Sequence, residues 1–394
     1  MANLLTPRRS IKFVPGILGS IALLPSLWSG VGTAAGLQRL DVPMTADRWQ
    51  LVGRAEFKEH KGTPALVITA GGAKLNGLTF RNGTIEFDVD PAGMGAGVGF
   101  RMRDEEPKPG LYPDMEMLYV RPGATCATAP DCVQYAPVTK GVLLWDVFPQ
   151  YQAPAPVRQN EWNHVKVVVS GHRMNVFLNG ARTPALLIPR LEGDVQEGVL
   201  ALLGPGAFRD VAVIPDAVEG LAPEPGADPT AADPHFVRHW QIAPFSTLPE
   251  EGEPGVTDMP GPSTSWRPLA AERSALINIS RVYGKPVAAP ARALTWLKTT
   301  ISSTRNQSKT ASIGWSREVW VFVNGERVYA DKNLYQPPSA RKAPDGRLSL
   351  QNGSFVLPLK AGDNVVAVAI ANNFYGWGLI LRLDDLDGVQ LARK

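Results

Sequence analysis

Two segments of the same design stand in the two halves of the chain, Asn175-Val-Phe-Leu-Asn-Gly-Ala-Arg182 and Trp320-Val-Phe-Val-Asn-Gly-Glu-Arg327. Each runs alternating apolar residues into Asn-Gly, the dipeptide that accepts positive φ at both central positions of a type I′ turn and so closes a β-hairpin. Turn physics alone produces such a likeness, so it reads as convergence rather than duplication. It nevertheless commits both halves to strands. Thr84-Ile-Glu-Phe-Asp-Val-Asp90 alternates apolar and acidic residues, as a strand with one buried face does. Val98, Phe100 and Met102 alternate with Gly99, Arg101 and Arg103, and the runs 164–169 and 174–178 flank a tight Ser170-Gly171 turn. Further strands are expected over 198–203 and 208–214, then over 294–301, 318–323, 354–359, 364–370 and 376–383. The 38 glycines and 35 prolines among 394 residues punctuate these runs, and no long run with a period of 3.6 interrupts 49–214. The fold class is all-β.

A chain of 394 residues is too long for one ordinary core. Residues 215–234 carry Pro-Asp, Pro-Glu-Pro-Gly and Asp-Pro-Thr with little to bury, the composition of a semi-rigid linker. The expected organisation is a leader over 1–36, a β-domain over 37–214, the linker over 215–234 and a second β-domain over 235–394. Arg8, Arg9 and Lys12 precede the apolar run 13–28, and small residues gather over 32–36, the pattern of a cleaved signal peptide. Two prolines break that run, which weakens it as a membrane anchor, and Arg8-Arg9 hints at twin-arginine export. The mature protein is therefore expected outside the cytoplasm, periplasmic or secreted, with no membrane span after residue 36. There the simplest reading of Cys126 and Cys132 is a disulfide closing a short loop.

A formal net charge of +3, without Lys/Arg clusters interleaved with aromatics, argues against a nucleic-acid partner. The chain has no Gly-x-Ser-x-Gly elbow, no His-Glu-x-x-His and no phosphate loop. Of its five histidines only His235 and His239 have metal-ligand spacing, and they read as a surface pair, so no metal site is expected. Glu86, Asp88 and Asp90 share one strand face, which reads as a solvated face because like charges repel on burial. In Asp114-Met-Glu-Met-Leu-Tyr-Val-Arg121, Glu116, Leu118 and Val120 should point one way and Met115, Met117, Tyr119 and Arg121 the other. A glutamate among large apolar residues can have a raised pKa and act as a general acid. Equally, Glu116 could pair with Arg101 or Arg121 and hold the sheet together.

Gly83-Thr-Ile-Glu-Phe-Asp-Val, Gly97-Val-Gly-Phe-Arg, Leu118-Tyr-Val-Arg-Pro and Val133-Gln-Tyr-Ala-Pro-Val resemble the concanavalin A-like lectin/glucanase superfamily. The nearest likeness is to its laminin-G-like bacterial members, among them the domain of the 3-keto-disaccharide hydrolases, over residues 49–214. Glu116 falls near the glutamate of that domain's Tyr-Glu-x-Gln strand, with Met115 and Leu118 in place of its neighbours. Trp320-Val-Phe-Val-Asn-Gly-Glu-Arg-Val, Pro358-Leu-Lys-Ala-Gly-Asp-Asn364 and Trp377-Gly are similar to galactose-binding-like jelly rolls. The resemblance implies a concanavalin A-like β-sandwich followed by a second, jelly-roll β-sandwich. It implies a glycan or oligosaccharide partner and no cofactor, although such jelly rolls can hold a structural calcium.

Sugar recognition needs flat aromatic faces and planar polar groups that fork onto hydroxyl pairs. Arg101, Tyr119, Arg121, Gln134, Tyr135 and Trp145 are the candidates in the first domain, most of them near the Cys126–Cys132 loop. Asn373, Tyr375 and Trp377, in a turn with Asn372 and Phe374, are those of the second. The leading expectation is an exported, lectin-like carbohydrate-binding protein, non-catalytic or auxiliary to glycan processing. The alternatives are a glycoside hydrolase or lyase using Glu116, and an envelope protein–protein adaptor.

Overall fold

The computed structural model describes residues 37–392 apart from 106, 124, 286, 288 and 289. The leader expected over 1–36 lies outside the described residues. The described residues from 37 onward cluster as one compact unit.

The strands between Leu40 and Pro215 form one antiparallel sheet of 14 strands. Its strands send side chains into a single core that holds Trp49, Leu66, Ile85, Phe87, Phe100, Leu118, Tyr135, Val167, Val176, Leu200 and Phe208. A sheet of that length can enclose one core only by curling on itself, which makes it a β-sandwich. Its longest strand, Thr63–Phe80, pairs along Trp49–His60, within the stretch read as strand-rich but before the first strand given bounds of its own. The run Ala70-Gly71-Gly72-Ala73 imitates a turn, yet here it permits close contact between strands. A Cβ on Gly71 would lie 2.4 Å from the Val52 carbonyl oxygen, and φ there is +89°.

The strands between His239 and Leu391 form an eight-stranded and a four-stranded antiparallel sheet. Trp240, Leu297, Trp315, Val321, Ile370, Trp377 and Leu381 fill the core they share. The chain is all-β, a concanavalin A-like β-sandwich followed by a jelly-roll β-sandwich. Both Asn-Gly pairs have positive φ, +52° and +72° at Asn179 and Gly180, and +51° and +86° at Asn324 and Gly325. Only Asn324-Gly325 closes its hairpin directly, with Val323 opposite Glu326, whereas after Asn179-Gly180 pairing resumes only at Val176 opposite Leu186.

One expectation is corrected by the packing. The acidic face of the strand Gly83–Pro91 is not a solvated one. Glu86 is paired with Arg39, Asp88 with His164 and Arg209, and Asp90 with His60 and Lys61, so each charge is met by a cation. The backbone of the Pro-rich segment 215–234 is hydrogen-bonded to both sandwiches. The Pro223 carbonyl accepts from the His172 amide at 2.8 Å, and the Gly226 carbonyl accepts from Arg273 Nη1 at 2.6 Å.

The two sandwiches are joined by polar contacts, of which that between Asp146 and Gly376 is buried. Asp146 Oδ1 accepts from the Gly376 amide at 2.8 Å, and the Asp146 carbonyl accepts from the Leu348 amide at 2.8 Å. Arg281, in the short helix Ile279–Tyr283 capped by Asn278, donates to the Glu192 carbonyl at 2.9 Å and pairs with Asp194 and Glu272. Arg347 reaches Asp131 in the disulfide loop at 3.4 Å. Cys126 and Cys132 are disulfide-bonded.

Candidate functional site

The strand Met115–Val120 divides the predicted residues between two environments, as its alternation requires. Glu116, Leu118 and Val120 face the interior of the first sandwich, while Met115, Met117 and Tyr119 face the opposite side. On that opposite side Tyr119, Val138, Leu143 and Trp145 form an apolar cluster against which Tyr335, Phe374 and Tyr375 of the second sandwich pack. Trp145 meets Tyr335 edge-to-face with ring centroids 4.9 Å apart, and Tyr375 at 5.6 Å.

Packing across this junction leaves a cleft of about 440 Å³. The first sandwich lines it with Tyr112, Met117, Tyr119, Arg121, Leu143 and Trp145, and the second with Tyr335, Gln336, Phe374 and Tyr375. The volume and the mix, mostly apolar walls with a few polar groups, are those of a small-molecule site. Tyr119, Arg121, Trp145 and Tyr375 are thus brought together. Gln134 is buried behind them, and its Oε1 accepts from both Tyr119 Oη and Arg121 Nη1 at 2.8 Å. It positions the two side chains that face the cleft. The Arg121 guanidinium also lies 4.8 Å over the Tyr119 ring. Burial pushes the Tyr119 hydroxyl up to about 12, although the Arg121 charge opposes the shift.

The other predicted residues stand elsewhere. Arg101 is 1 % exposed and spends its guanidinium on the carbonyls of Arg81 and Gly171, which makes it a brace between turns rather than a ligand contact. Trp377 is 1 % exposed in the core of the second sandwich. Asn373 Nδ2 donates to the Pro290 carbonyl at 3.0 Å and does not line the cleft. Tyr135 is fully buried, where it donates to Glu116 Oε2 at 2.6 Å and accepts from the Glu192 amide at 2.6 Å.

Glu116 itself has 0 % exposure, and no wall of the cleft includes it. Burial pushes its carboxyl up to about 7, partly opposed by the Tyr135 hydrogen bond and the Arg101 charge. The raised pKa expected of this residue is present. The open cleft that a general acid needs is not, because the Gly193 backbone covers the carboxyl. A Cβ at Gly193 would lie 2.7 Å from Glu116 Oε1. Glu192, whose carboxyl accepts from Tyr151 Oη at 2.6 Å, is likewise buried and raised chiefly by burial.

Tyr112, Tyr335 and Gln336 escaped the sequence reading, whereas Met117 lies on the face that the alternation of 115–121 assigned to Tyr119 and Arg121. Tyr112 precedes the strand in a loop, and Tyr335-Gln336 follows the strand Glu326–Asn333 in a Pro-rich stretch. No local pattern marks them, since only the docking of the second sandwich brings them to the site. Phe374 was legible as part of the aromatic turn.

Residues 45–214 match the 3-keto-alpha-glucoside-1,2-lyase-like domain. The resemblance seen in the strand pattern of the first sandwich therefore holds over nearly the stretch from which it was read. No curated protein matches the chain. Among solved structures, the carbohydrate-binding module CBM66 from Bacillus subtilis is 15% identical with a TM-score of 0.31, covering 42% of this chain and 94% of the module. A putative glycosyl hydrolase from Parabacteroides distasonis is 12% identical with a TM-score of 0.33, covering 45% and 99%. A protein with a galectin-like fold from Bacillus subtilis is 16% identical with a TM-score of 0.33, covering 45% and 94%.

Proposed function

We propose that the cleft between the sandwiches binds a saccharide, and that the chain is an exported glycan-binding protein without catalysis of its own. The observation that carries the reading is the lining. Aromatic rings from both sandwiches offer flat faces for pyranose C–H surfaces, while Arg121 and Gln336 supply planar polar groups for hydroxyls. The name of the domain matched at 45–214 points to sugar chemistry as well.

That name also favours a second reading, a lyase. The lining supports it less, because among the described residues around the cleft there is no carboxylate and no histidine. Glycoside hydrolysis usually uses two carboxylates beside the scissile bond. Tyr119, held near 12, stays protonated at neutral pH and so offers no phenolate to act as a base. Glu116 lies on the other side of the sheet. As for an adaptor, much of the aromatic face that could meet a partner protein is already covered by the second sandwich of the same chain.

A glycan array and a turnover screen that includes 3-keto-glucosides would test the proposal with wild type, Tyr112→Ala and Tyr375→Ala. Binding that both variants weaken at least fivefold, without turnover, supports the reading. Turnover of any 3-keto-glucoside transfers the function to the lyase reading. Absence of both binding and turnover sinks the two together.

A further inference from the structure

We infer that the saccharide taken by the cleft carries a carboxylate and that Arg121 reads it, a step that rests on the saccharide reading above. Arg121 is the only charged residue among the described residues that line the cleft. Its two terminal nitrogens are used unequally. Nη1 donates to the Asp131 carbonyl at 2.6 Å and to Gln134 Oε1 at 2.8 Å, which fixes the plane of the guanidinium. Nη2 has only a long contact to Tyr119 Oη at 3.4 Å, so its donors remain available.

The counter-charge on the protein side is shared. The Asp131 carboxylate lies 3.5 Å from Arg121 Nη1 and 3.4 Å from Nη2 of the buried Arg347. Asp131 does not line the cleft, and Asp345 answers Arg347 at 2.8 Å. Nothing acidic therefore faces Arg121 from the cleft side. Access is kept by Gly95, where φ is +124° and a Cβ would stand 3.3 Å from Arg121 Cγ and 3.1 Å from Tyr119 Cδ2. A planar cation with one free edge, fixed in plane and walled by aromatic rings, is complementary to a planar anion. Hydrogen bonds between such ions are shorter and stronger than those to a neutral hydroxyl. A neutral sugar covering the same edge would take the cation out of water without supplying charge in return. Hexuronate units present that carboxylate on the rim of a pyranose whose faces still suit the aromatic walls.

Isothermal titration of the full chain at neutral pH distinguishes charge from shape. The probes are oligogalacturonates and β-1,4-linked oligoglucuronates, each beside its fully methyl-esterified form. The expected result is at least tenfold tighter binding of one acid over its ester, with the ratio falling close to one in Arg121→Gln. The acid-against-ester comparison uses the unaltered protein, so it stands whether or not the variant folds. Equal affinity for acid and ester overturns the inference and leaves the saccharide reading intact. Acid preference that persists in a folded Arg121→Gln overturns the assignment to Arg121. Failure of every acid and ester to bind overturns the inference, and the neutral glycans of the array then decide the broader reading separately.

Discussion

Trp145 of the first sandwich and Tyr335 of the second meet edge-to-face, with ring centroids 4.9 Å apart and planes inclined at 75°. Both rings line the cleft, so one contact docks the sandwiches and builds the site. Aromatic pairs of this kind contribute about 1 kcal/mol beyond the area they bury. Tyr335→Ala is expected to lower stability in urea unfolding by about 1–2 kcal/mol. It should also weaken saccharide binding severalfold, although the first sandwich is untouched. Unchanged affinity in the folded variant would place the site on the first sandwich alone.

Gly376 is held against Asp146 by more than its amide. A Cβ at this position would lie 2.5 Å from Asp146 Oδ1 and 2.6 Å from Val147 Cγ1. Gly376→Ala should therefore destabilise the protein by about 2 kcal/mol through overpacking of the junction. Asp146→Asn keeps an acceptor for the Gly376 amide and should cost less. Calorimetric melting of the two variants gives the comparison, and a harmless Gly376→Ala would contradict the docking described.

The buried Glu116 makes stability depend on pH in a definite direction. Its carboxyl titrates near 7 in the folded chain against 4.5 as the ordinary value. Between those limits the folded state keeps a proton that the unfolded state has lost, so stability falls as pH rises through the window. The full effect, present above pH 7, is on the order of 3 kcal/mol. Glu116→Gln removes it. The stability of wild type relative to the variant should therefore decline from pH 4.5 to 7.5 in denaturant titrations. Parallel pH profiles would contradict a protonated, core-facing Glu116.

The Cys126–Cys132 bridge closes a loop whose Asp131 touches Arg121 on one side and Arg347 on the other. Replacing both cysteines by serine should lower stability by about 2 kcal/mol, the loop-entropy value for so short a closure. If the loop orients Arg121 through Asp131, the folded variant should also lose saccharide affinity, which titration at matched fractions folded would show.

Much of the fold was legible because strand alternation and Asn-Gly turns are local chemistry. The alternation of 115–121 correctly separated Glu116 from Tyr119 and Arg121. The long pairing of Trp49–His60 with Thr63–Phe80 was hidden, since its glycines serve close strand contact yet read as turn formers. The site was legible in part. Tyr119, Arg121, Trp145 and Tyr375 reach the cleft, whereas Arg101, Tyr135 and Trp377 are buried elsewhere, although their residue types suit sugar contacts equally well. Burial of a large polar or aromatic side chain depends on which turns and sheets close over it. Tyr112, Tyr335 and Gln336 depend on how the sandwiches dock, which no run of neighbouring residues encodes.

Amide hydrogen exchange, with and without a saccharide that binds, tests the central claim most directly. Slowed exchange is expected around 117–121, 143–145, 335–336 and 374–375, the segments that wall the cleft from both sandwiches. Protection confined to the polar groove formed by 306–308, 323–326 and 358–360, with none at the junction, would contradict it.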